Sequence, residues 1–330
     1  MITRCLWQVK LWVIRFTVLI VRAGDEVLIG GQAVFEGVMM RSPRSYSVAV
    51  RKADQTIVTK KDYLPGLGER NRFLRLPIVR GVVTLGQAFT LGIRALKFST
   101  DQALIGRRAD GEDGGQKREI NPWIMAVNIA VAIFFFVLLF KWLPLVLTSQ
   151  LKEHFAFLSN RFFFSLVDGC IRLGIFLIYI FSISRLKDIR RLFEYHGAEH
   201  KVVFTYEARQ ELSVANARKH STLHPRCGTS FLMVVMLTST FVYAFIPFDS
   251  FSLKLFSRVA LIPLIAGLSY EIIRFAAKHE NSLLTWVTRP GLWLQRVTTK
   301  EPSDDQLEIA IRALDEAIFL ETAEGQLAVI

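Results

Sequence analysis

Cysteine is scarce in this chain: Cys5, Cys170 and Cys227 are widely spaced and odd in number. No disulfide framework is implied, and a reducing compartment suits them. Acidic residues are in deficit, 29 against 41 Lys and Arg, for a formal charge of +12. Such a surplus raises the question of nucleic acid, but no RNA-binding motif accompanies it, and no specific nucleic-acid binding is expected. Gly66-x-Gly68 lacks the third glycine and the strand–turn–helix context of a nucleotide loop. Asp110 to Gly115 is rich in glycine and acid but does not alternate ligands as a calcium loop does. No inverted repeat of the kind that marks many transporters is evident.

Apolar residues are what the chain has in excess. It is 52% hydrophobic, with 26 Phe and a mean hydropathy of +0.34 over 330 residues, more than a soluble domain of this size needs. Four long apolar runs stand out: Trp123 to Leu147, Phe162 to Ile183, Thr229 to Phe248 and Val259 to Ala277. Each has about the ~20 residues that a spanning helix requires. The expected fold is therefore an α-helical polytopic membrane protein, with about four transmembrane helices and a small N-terminal α+β cytoplasmic region. Charges interrupt the runs, and Asp168 with Arg172, one helical turn apart, reads as an intrahelical pair.

Orientation follows from the basic residues. Ser184 to Gly228 carries nine, whereas Thr148 to Arg161 and Asp249 to Arg258 carry two each. By the positive-inside rule the first loop and both termini are cytoplasmic. The basic face then meets anionic lipid headgroups, which are the expected partners beside any protein partner.

The expected organisation is an interfacial amphipathic helix over 1–22 and the cytoplasmic α+β region over 23–106. A flexible linker over 107–122 leads to the transmembrane bundle, 123–277, with its loop 184–228, and a C-terminal cytoplasmic amphipathic helix occupies 278–330. Leu6 to Val21 is too short and too charged, at Lys10 and Arg15, to span readily. A cleavable signal peptide ranks lower there because no small-x-small site follows. Ser45 to Val50 and Thr56 to Lys60 alternate as a β-hairpin, and Pro77 to Phe98 turns helical, with glycines suited to close helix packing. Leu292 to Arg296 reads as interfacial. A capping box at Ser303-x-x-Gln306 opens a helix with Leu307, Ile311, Leu314 and Ile318 on its apolar face. Glu36, in an apolar setting after Gly30-Gly31, needs a partner; Arg41 or Arg44 would make either a structural ion pair or part of a site.

The chemistry concentrates in Glu194-Tyr195-His196-Gly197-Ala198-Glu199-His200-Lys201 and in His224-Pro225-Arg226-Cys227. On a helix, His196, Glu199 and His200 share one face at i, i+3 and i+4. Two imidazoles four apart offer a divalent metal two nitrogens at once, and a carboxylate beside them can deprotonate water. His224-x2-Cys227 adds two more ligand types at zinc-site spacing. The candidate ligands are thus His196, His200, His224 and Cys227, the cofactor a divalent metal of the zinc type, and the general base Glu199. His-x-x-Glu-His is also the inverted zinc-peptidase motif, whose third ligand is a downstream glutamate; Glu207 and Glu271 are the candidates here. A metal-free polar network at the membrane face is the alternative.

Gly30 to Arg41, Leu76-Pro77-Ile78-Val79-Arg80-Gly81, Tyr195 to Lys201 and His224 to Phe231, in that order, closely resemble the motifs of the YqhQ-like family, domain of unknown function 1385. The likeness runs from about Gly30 to Leu314, with Phe35 where an aliphatic residue is expected. It implies a polytopic bacterial inner-membrane protein, sometimes described as a metal-dependent enzyme, with His196, Glu199, His200, His224 and Cys227 on the motif positions. Two functions follow from the sequence. One is a membrane-embedded metal-dependent hydrolase with a cytoplasm-facing His/Glu/Cys site. The other is a non-enzymatic membrane scaffold or assembly factor, whose metal or polar cluster pins the loop to the bundle.

Overall fold

The computed structural model describes residues 29–64, 72–108, 122–225, 227–278 and 283–327. The expected interfacial helix over Leu6 to Val21 lies outside them, as does most of the linker.

Four strands form an antiparallel meander: β1 (Gly30–Val34), β2 (Gly37–Arg41), β3 (Ser45–Arg51) and β4 (Ile57–Tyr63). The expected hairpin is β3–β4, with Ser47 opposite Lys61 and Val50 opposite Val58. Asp54 sets its turn by accepting from the Thr56 backbone N–H at 3.0 Å and hydroxyl at 2.6 Å. β2 gave no alternating signal, because both faces of the sheet centre are covered, and β1 is a largely exposed edge strand that opens with two glycines. Val38, Met40 and Ala49 pack on one side with Tyr195, Ala198 and Leu314. Met39, Val48 and Val50 pack on the other with Leu91 and Ala95. A strand buried on both faces reads as a continuous apolar run. At the β1–β2 turn Glu36 takes φ 53°, and a Cβ on Gly37 would collide with the Ala49 carbonyl, which is why glycine follows there.

The rest is helical: α1 (Val79–Arg108), α2 (Pro122–Val137), α3 (Leu143–His154), α4 (Arg161–Ile183) and α5 (Lys187–Glu207) precede α6 (Gly228–Tyr243). Then come α7 (Phe251–Ala260), α8 (Ile262–Lys278), α9 (Leu283–Thr298) and α10 (Asp304–Leu327). One π turn, Leu138–Trp142, joins α2 to α3. Two helices among the described residues are long and apolar enough to cross a membrane, Ala126–His154 and α4, or three if the bent pair α7–α8 is one span. About four were expected; α6 is shorter than the usual span but runs from the histidine end of the bundle to the Tyr243 end. The third expected run forms α6, whose 16 residues reach about 24 Å at 1.5 Å per residue, short of a ~30 Å hydrocarbon core. The fourth is split, with 48° between α7 and α8. Large apolar side chains face outward along these helices, among them Phe134, Ile178, Phe241 and Phe256. A contiguous apolar surface of that kind calls for lipid or a partner.

Two buried carboxylates of the bundle have arginine partners. Asp168 lies 3.5 Å from Arg172, as expected, and also accepts from Arg258 at 2.7 Å. The Leu76–Gly81 motif docks on α8, where Arg80 reaches both carboxylate oxygens of the buried Glu271 and Gly81 meets the Gly267 carbonyl closely enough to leave no room for a larger residue.

The C-terminal region differs from a single amphipathic helix. α9 lies along α6, with Gly291 against Ser230 and Leu294 packed with Phe176 and Met233, so Leu294 and Gln295 of the expected interfacial stretch are buried while Trp293 and Arg296 stay exposed. α10 then lies on the sheet. Its capping box is present, with the Ser303 N–H donating to Gln306 Oε1 at 2.9 Å, and Leu307 and Leu314 enter the core. One face of the sheet is thus closed by α5 and α10, the other by α1, and the histidine-bearing helix becomes part of the domain core.

Candidate metal centre

The sequence Lys187 to Glu207 forms α5, which presents His196, Glu199 and His200 on one face. Two glycines let backbone come close on either side of that face. A Cβ at Gly197 would collide with the Lys300 carbonyl, and one at Gly31 would lie 2.7 Å from Glu199 Cγ. The segment after α9 is held there by the Lys300 N–H, which donates to the Phe193 carbonyl at 2.9 Å.

Each histidine is oriented through its Nδ1. His196 Nδ1 lies 2.8 Å from the Thr298 carbonyl oxygen, and His200 Nδ1 lies 2.5 Å from that of Thr222. A carbonyl only accepts, so both Nδ1 atoms carry hydrogen, and in the neutral ring each Nε2 keeps its lone pair. This is the second-shell pattern of metal-ligating histidines. The two Nε2 atoms point to a common place. His196 Nε2 is 3.1 Å from Cys227 Sγ, and His200 Nε2 is buried without a hydrogen-bond partner. The ligand atoms of His196, His200 and Cys227 all lie within 4.8 Å of one another. Cys227 is the N-cap of α6, its sulfur accepting from the Thr229 N–H at 3.4 Å, so it meets the positive end of that helix. Glu199 Oε2 stands 3.4 Å from His200 Nε2 and is nearly buried.

His224 is placed differently from the other three expected ligands. Its ring packs on Phe204 and His200, at centroid distances of 4.5 and 5.6 Å, and its Nε2 is 3.5 Å from Glu207 Oε2. Its backbone is clamped by Gln295, which accepts from the His224 N–H and donates to the His224 carbonyl, each at 2.8 Å, and to Ser230 Oγ at 3.0 Å. His224 thereby fixes the turn that delivers Cys227. Neither candidate glutamate joins the three converging ligands: Glu207 faces His224, and Glu271 is taken by Arg80.

Glu36 pairs with neither Arg41 nor Arg44. Both its oxygens accept from Arg191 at 2.6 Å, and Tyr195 Oη donates to it at 3.3 Å. The bidentate bond raises the Arg191 pKa further, and burial together with the Glu36 charge pushes the Tyr195 phenol well above its ordinary value. The turn of the first motif is thus fastened to α5 one turn before His196. The sequence alone did not reveal Gln295, Thr222 or Thr298 as parts of the site. The two threonines act through main-chain carbonyls, which leave no side-chain signature, and Gln295 stands in a helix that also carries Arg289, Arg296 and three threonines, so nothing local marks it as buried.

A family model described as a protein of unknown function (DUF1385) matches residues 76–319. The chain is also 32% identical, over 302 residues, to the uncharacterized protein YqhQ of Bacillus subtilis (strain 168), covering 90% of this chain and 94% of that one. No solved structure matches. The family region holds α5, the His224 turn, α9 and α10 as far as residue 319. The chain belongs to the DUF1385 family.

Proposed function

We propose that this is a membrane-embedded, metal-dependent hydrolase with its site at the cytoplasmic face. The observation that carries the reading is the convergence of His196 Nε2, His200 Nε2 and Cys227 Sγ, with both imidazoles already oriented by backbone carbonyls. Three protein ligands leave one position of a tetrahedral zinc-type ion open, the arrangement of catalytic rather than structural sites. Such an ion, when bound, lowers the pKa of water and polarises a carbonyl or phosphoryl oxygen. The chain's own part is to hold the ligands and move the proton. Glu199, nearly buried and 3.4 Å from a ligand nitrogen, is the carboxylate to accept it. His224 and Gln295 keep the Cys227 turn in place. The outward-facing phenylalanines of α2 to α4 and the basic loop between α4 and α6 support a bilayer position with both termini in the cytoplasm.

A structural reading is favoured by one observation. The cluster lies where β1, α5, the His224 turn and the end of α9 meet, so a metal there would also staple the fold, as a scaffold or assembly factor requires. Glu199→Gln separates the two. It removes a base and no ligand, so a catalytic site keeps its metal and melting temperature while complementation of a deletion strain is lost. Full complementation by Glu199→Gln would remove the hydrolase reading and leave the structural one.

A further inference from the structure

The bundle carries a second concentration of charge, at the end away from the histidines. α6 begins at Cys227 and ends at Tyr243, which separates the two places by roughly 24 Å of helix. Around Tyr243 three cations are buried: Lys141, on the π turn, and Arg172 and Arg258 approach its ring to 5.4, 5.1 and 5.0 Å. Lys141 Nζ donates to Tyr243 Oη at 2.9 Å, and that hydroxyl donates to the Arg258 carbonyl at 3.2 Å. Asp168 is the buried carboxylate that faces Arg172 and Arg258. Three formal positive charges against one negative leave an excess of two inside an apolar bundle, where an uncompensated charge is costly.

The excess adjoins a small cleft that is open to solvent. Tyr243 and Arg258 form part of its wall, and Lys152, Arg161 and Lys254 add three more cations against a single acid, Asp249. Arg161 and Asp249 are 3.9 Å apart and mostly exposed, so that pair neutralises little. Arg258 is 3% exposed, gives Nη1 to Asp168 at 2.7 Å, and keeps a buried Nε without a partner. The remaining wall is Ser159 with the apolar Leu158, Phe164 and Ile246. Beside it Phe155, Phe157, Phe162 and Phe163 form a chain of ring contacts at 5.8–6.0 Å, with all four rings exposed. An exposed apolar patch of this kind calls for lipid or a partner beside the cleft.

We propose that this cleft binds the phosphate of an anionic phospholipid, with the headgroup against Lys152, Arg161, Lys254 and Arg258 and an acyl chain along the apolar wall. The inference rests on the membrane placement proposed above. The same cations that attract phosphate repel the quaternary ammonium of a choline headgroup, so the site selects phosphatidylglycerol over phosphatidylcholine.

The test uses the full chain purified in neutral detergent. Short-chain dihexanoyl phosphatidylglycerol, dihexanoyl phosphatidylcholine and inorganic phosphate are titrated separately, and binding is read by native mass spectrometry and by thermal shift. Phosphatidylglycerol should bind at least tenfold more tightly than the other two. Lys254→Gln and Arg161→Gln, at the rim where the fold does not depend on them, should each weaken it about tenfold, as loss of one charge-assisted hydrogen bond does. Arg185→Gln, at the other end of α4, should bind as the wild type does. Equal binding of the two lipids, undiminished binding by both rim variants, or saturation by inorganic phosphate at the same concentration would each overturn the assignment. Release of the chain from membranes by alkaline carbonate would overturn the membrane placement itself, and the lipid site with it.

Discussion

Replacing Gln295 by Leu tests how the Cys227 turn is held. The side chain is fully buried, and it makes three hydrogen bonds, two to the main chain of His224 and one to Ser230 Oγ. Leucine has a similar volume, so no cavity adds to the effect. What is lost is the pairing of a buried N–H, a buried C=O and a hydroxyl, at about 1–3 kcal/mol for each group left unsatisfied. Allowing the hydroxyl to find another partner, the expected loss is roughly 3–5 kcal/mol, or a fall in melting temperature of about 6–10 °C for a chain of this size. Metal affinity should fall in parallel, because Cys227 is presented by the same turn. Circular dichroism melting in detergent, with zinc titration by calorimetry, measures both. A Gln295→Leu chain that melts within about 2 °C of wild type and binds zinc equally well would refute the argument that this clamp organises the site.

Arg80→Ala should destabilise the chain by about 3 kcal/mol, because it strands the buried carboxylate of Glu271, which is 4% exposed; Arg80→Ala combined with Glu271→Leu should recover much of that in thermal melts. Arg191→Ala should cost about 1 kcal/mol or less, since its side chain is 53% exposed, and Glu36→Ala combined with it should add little further in the same melts. Gly31→Val should displace Glu199, whose Cγ occupies the space a Cβ would need, so complementation falls while zinc content is retained on metal analysis. Reporter fusions after Ser149 and Phe251 should report the outer side, and fusions near Gln210 the cytoplasm.

Where a single periodicity decides the outcome, the sequence was legible. The His196–Glu199–His200 face, the β3–β4 hairpin, the Asp168–Arg172 pair and the capping box of α10 each depend on local spacing, and each stands as read. Partner choice across the chain was not legible. Glu36 finds Arg191, 155 residues away, rather than a neighbour in its own motif, because the β1–β2 turn is carried onto α5 by sheet packing. The count of spans was legible only in part, for a different reason. Apolar composition alone cannot distinguish a lipid-facing helix from α6, which owes part of its apolar character to packing against α9. His224 shows the limit for sites: its spacing to Cys227 suits a ligand, but spacing does not reveal that its Nε2 stands 3.5 Å from Glu207 or that Gln295 holds its main chain.

Metal content of the purified full chain tests the central claim most directly. Inductively coupled plasma mass spectrometry should find about one zinc per chain in the wild type, retention in His224→Ala at reduced affinity, and loss in Cys227→Ser and in His196→Ala with His200→Ala. A wild-type chain that is metal-free, does not take up zinc on titration, and melts unchanged with or without chelator would contradict it.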